Sequence, residues 1–89
     1  MSLPEIKEKE MGALERQIDA LLFVSPQPVS SQELALHLGV TAERAEKGVK
    51  IIKELYKIGH GLTILNHAGG WQMATAPDLA DTVESFANT

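Results

Sequence analysis

Three histidines, His37, His60 and His67, are the side chains of this 89-residue sequence with the widest chemical repertoire near neutral pH. They stand in no metal-ligand spacing, and no glycine-rich phosphate loop opens a helix. Each reads as a polar surface residue. Ser25, Ser30 and Ser31 have no histidine close by in the chain and read as turn and cap residues, not nucleophiles. Cysteine is absent, which removes thiolate catalysis, disulfides and thiolate zinc sites. The sequence therefore offers no catalytic, cofactor-binding or metal-binding residue, and the expectation is a protein that is not an enzyme and takes no cofactor.

The other candidate chemistry is phosphate binding. Five of the eight basic residues, Arg44, Lys47, Lys50, Lys53 and Lys57, fall in one helical stretch, and Lys47, Lys50 and Lys53 are the candidate nucleic-acid contacts. Glu43, Glu46 and Glu54 share their face, at the spacing of the pairs Glu43–Lys47, Glu46–Lys50 and Lys50–Glu54. Interleaved carboxylates repel phosphate about as much as the lysines attract it. From His60 to Ala76 there is no Lys or Arg, although a wing that tracks a phosphate backbone needs cations. The net charge of −4 points the same way. A solvated, ion-paired helix face is the preferred reading, and a DNA-binding winged-helix regulator is the alternative.

The elements that position these residues follow from periodicity. Met11, Leu14, Ile18 and Leu21, with Leu22, form one apolar face, so a first helix is expected from about Glu5 to Val24. Pro26 and Pro28 stop it and leave Val29 as a one- or two-residue strand. Ser30 to Glu33 form a capping box for a second helix, which carries Leu34 and Leu38 and closes at Gly39. Thr41 caps a third helix with Ala45, Val49, Ile52, Leu55 and Tyr56 on its inner face, ended by Gly59 and Gly61. Leu62–Leu65 and Trp71–Thr75 then read as two strands about a loop of residues 66–70, with Gly69 and Gly70 making the turn. Pro77 and Asp78 begin a last helix with Leu79, Val83 and Phe86.

Three helices and then a two-stranded hairpin make an α+β winged helix-turn-helix, a three-helix core with a two-stranded β-wing. The expected divisions are a flexible lead over residues 1–9, in which Met1-Ser2-Leu3 reads as a cloning remnant, a winged-helix domain over 10–76, and a helix over 77–89 leading to a second domain. A chain this short has room for one core and buries only roughly 60–65% of its unfolded surface, so a partner that covers apolar area would stabilise it. At 44% hydrophobic and 22% charged residues it is an ordinary globular sequence. Its longest apolar run, Ala20 to Val24, is far short of the roughly 20 residues that a membrane span needs.

The ordered combination of Ala20-Leu21-Leu22-Phe23-Val24-Ser25, Pro28-Val29-Ser30 with Glu33-Leu34-Ala35, and Gly61-Leu62 followed by Ala68-Gly69-Gly70-Trp71-Gln72-Met73 resembles the N-terminal winged-helix domain of the segregation and condensation protein B family. The likeness runs from about Leu14 to Leu79. It implies a cytoplasmic, non-enzymatic subunit of the bacterial SMC–kleisin complex in chromosome segregation and condensation, brought to the nucleoid by its partners. It further implies two tandem winged-helix domains, the first pairing two copies and the second grasping the kleisin, with the SMC ATPase reached mainly through that second domain. Where the family often carries a basic residue after the Gly-Gly-Trp strand, this chain has Ala74 and Ala76, which counts further against direct nucleic-acid contact. Trp71 reads first as a residue that pins the wing to the core and secondly as an interface anchor. The candidate pairing residues are Leu65, Trp71 and Met73 of the wing and Met11 and Leu14 of the first helix, whose apolar side chains a three-helix core least needs.

Overall fold

The structure is a computed structural model that describes residues 11–88. Its elements follow in the order α1 (Ala13–Val24), α2 (Ser31–Leu38), α3 (Ala42–Leu55), β1 (Leu62–His67), β2 (Gly70–Thr75), a 3₁₀ turn (Pro77–Leu79) and α4 (Ala80–Ala87). This is the expected α+β winged helix.

α1 starts later than its periodicity suggests. Residues 5–10 lie outside the described residues, and Gly12 is extended at φ −78° and ψ −177°. Its N–H donates to Glu15 Oε1 at 3.1 Å, so the helix begins at Ala13, with Met11 ahead of it. The second and third helices are capped as their sequences require. Ser30 Oγ accepts from the Glu33 N–H at 3.0 Å while Glu33 Oε1 accepts from the Ser30 N–H at 2.9 Å. Gly39 ends α2 in the left-handed region at φ 71°, and Thr41 Oγ1 accepts from the Arg44 N–H at 3.0 Å.

The core is Ile18 and Leu22 of α1, Leu34 and Ala35 of α2, Ala45, Val49 and Ile52 of α3, and Ile64 and Trp71 of the wing. α1 and α3 approach closely at Gly48, where a Cβ would lie 2.8 Å from Ile18 Cδ1. Tyr56 ties the end of α3 back to α1, its hydroxyl donating to Asp19 Oδ1 at 2.5 Å.

The hairpin is longer, and its turn tighter, than the sequence suggests. The strands run through Asn66 and His67, and His67 pairs with Gly70. The turn is the two residues Ala68 and Gly69, both at positive φ (52° and 77°), as the type I′ geometry of a tight hairpin demands. Gly70 is thus a strand residue. It is required there by contact, since a Cβ would lie 2.8 Å from the Val29 backbone nitrogen. Val29 is the expected short strand: its N–H donates to the Trp71 carbonyl at 2.9 Å and its carbonyl accepts from the Trp71 N–H at 2.8 Å.

Candidate interaction surfaces

The residues with catalytic or ligating potential do not converge. His37, His60 and His67 are all exposed, on α2, after α3 and beside the wing turn. Among the described residues no three of His, Asp and Glu come together in a way that could hold a metal ion. Ser30 and Ser25 are engaged with the Glu33 N–H and the Gln27 carbonyl, and Ser31 Oγ accepts from the Trp71 indole N–H at 3.0 Å. No described helix is long and apolar enough to cross a membrane.

The outer face of α3 is the surface a winged helix would use to read DNA, and it is chemically mixed. A shallow depression of about 690 Å³ runs along it, lined by Glu43, Glu46, Lys47, Lys50, Ile51, Glu54 and Leu55. Lys50 pairs with Glu46 at 3.0 Å, and Lys57 pairs with Glu54 at 2.7 Å, one turn away. Arg44 is drawn to Glu15 Oε2 at 2.9 Å and so faces α1. Lys53 is half-buried. Of the expected pairs on this face, Glu46–Lys50 forms. Lys47 has no ion pair among the described residues, and it borders the half-buried Ile51 and Leu55. Three carboxylates and two apolar side chains line this face, an unfavourable surface for a polyanion.

Arg44 also sets the electrostatics of Glu15, which is 4% exposed. Burial pushes the Glu15 carboxyl up, but the Arg44 hydrogen bond, backbone N–H groups and the Arg44 charge outweigh it, holding the group below the usual carboxylate range. Tyr56 moves the other way. Burial, the hydrogen bond to Asp19 and the Asp19 charge push its phenol up to about 12.

The five candidate pairing residues do not share one surface. The register pairs Ile64 with Met73, Leu65 with Gln72 and Asn66 with Trp71. Side chains alternate between the two faces of a strand, so Trp71 and Met73 point with Ile64 toward the helices, while Leu65 points outward beside Gln72. Trp71 is 7% exposed with its indole N–H bonded, so it packs the wing onto the core and is not a surface anchor in this chain. Met11, Leu14 and Met73 are partly buried against the core, contrary to the expectation that the core leaves them free. Leu65 alone of the five is exposed, at 43%.

The apolar side chains that the structure leaves in solvent are others. Phe23 (74% exposed) and Val24 (70%) end α1, where Phe23 lines a cleft with Leu62, Met73 and Ala74 of the wing. Val24 lines a second cleft with Leu21, Val29, Leu34 and His37. Phe86 stands out on α4, all of whose residues are exposed. Sequence reasoning used Phe23 and Val24 only as the end of the first helix, as part of an apolar run and as part of a family-like string. The available signal was that they fall off the Ile18–Leu21–Leu22 stripe.

Comparison with known proteins places this geometry. The family model for segregation and condensation complex subunit ScpB matches residues 16–89. Segregation and condensation protein B of Moorella thermoacetica is 38% identical over 74 residues, covering 82% of this chain and 38% of that protein. The protein of the same description from Symbiobacterium thermophilum is 32% identical over 68 residues, covering 75% and 31%. Among solved structures, ScpB from Mycobacterium tuberculosis superposes with a TM-score of 0.80 at 26% identity, over 88% of this chain and 49% of that one. A ScpB N-terminal domain, described as a dimer complexed with a ScpA peptide, superposes with a TM-score of 0.77 at 21% identity, over 84% and 99%. The chain thus spans well under half the length of the two relatives, and nearly all of the isolated N-terminal domain.

Proposed function

The chain belongs to the segregation and condensation complex subunit ScpB family, and on that premise we propose that it is a non-enzymatic assembly domain of the bacterial SMC–kleisin complex that pairs with a second copy of itself. The observation that carries this reading is the apolar surface its own core does not use: Phe23 and Val24 at the end of α1, with Leu36, Ile58 and Phe86, are each at least 70% exposed. A small domain gains stability when a partner covers such surface. The superposing N-terminal domain, described as a dimer with a ScpA peptide, supports the same reading of the partners: a second copy and a kleisin segment. In this reading residues 10–76 are the winged-helix domain and 77–89 lead onward. The SMC ATPase is engaged through the remainder of a longer protein, and the complex works in the cytoplasm on the nucleoid.

The mixed charge of the α3 face weighs against direct DNA binding through Lys47, Lys50 and Lys53. The test is the solution mass of the chain across a concentration series, by light scattering or sedimentation. A concentration-dependent dimer is expected, and a strict monomer at high concentration overturns the pairing. Leu65→Asp run alongside decides the wing's part, because an unchanged dimer removes the wing from the interface.

A further inference from the structure

We draw no further inference here: the strongest candidate, the cleft between the end of α1 and the wing that Phe23 lines with Leu62, Met73 and Ala74, is an unpartnered apolar surface, and nothing in the structure shows what covers it.

Discussion

The Glu15 carboxylate and the Arg44 guanidinium meet at 2.9 Å between α1 and α3, and the other carboxylate oxygen takes the Gly12 N–H at 3.1 Å. One side chain thereby caps its own helix and joins it to the next. Because the folded protein holds this carboxyl below its ordinary value, the stabilisation is present above the unfolded pKa and is lost as pH falls through the folded one. Thermal melts should show the unaltered chain losing stability below about pH 4.5, and Glu15→Gln should flatten that loss. At neutral pH the same substitution should cost about 1.5–3 kcal/mol, the worth of a hydrogen bond to a charged group.

Tyr56 titrates in the opposite sense. A folded pKa raised from 10.0 to about 12 makes its contribution fully present below pH 10 and lost as pH rises from 10 toward 12. Tyr56 is the sole tyrosine, so ultraviolet absorbance of the phenolate reads it directly. Asp19→Asn should bring the midpoint down toward 10.

Ala68 occupies a position where an L-residue is strained, at φ 52° in the wing turn. Ala68→Asn or Ala68→Gly should stabilise the chain by about 0.5–1 kcal/mol, measured by urea denaturation. A loss of stability would mean that the turn is not of the type I′ form.

Gly70 answers to contact. A methyl there meets the backbone of Pro28 and Val29, which cannot swing aside as a side-chain end can. Gly70→Ala should cost about 2 kcal/mol and weaken amide-exchange protection at Val29 and Trp71.

The framework was legible wherever local chemistry decides it. The Ser30–Glu33 box, the Thr41 cap, the Gly39 terminator and the isolated strand at Val29 all stand as the residues suggest. The start of α1 was not, because Met11 continues the apolar spacing while Gly12 breaks the backbone pattern. Apolar periodicity cannot sense that break. The wing's faces were legible only in part: Trp71 pins the wing to the core, as its first reading has it, but Met73 was not separable from Leu65. Leu65, Trp71 and Met73 look alike in composition, and only the register set by the Ala68-Gly69 turn sends one outward and two inward. Surface roles were the least legible, since exposure of Phe23 or Phe86 depends on what the rest of the chain declines to cover.

Two hydrogen bonds join Val29 to Trp71, and a third holds the indole to Ser31 at the start of α2. A two-stranded ribbon by itself is marginal in water, and this one is clasped along the edge away from β1. Pulled at its tip, such a wing cannot peel off strand by strand. The load passes from β2 into the first turn of α2 and from there into the packed helices, so the wing moves with the helical core and not apart from it.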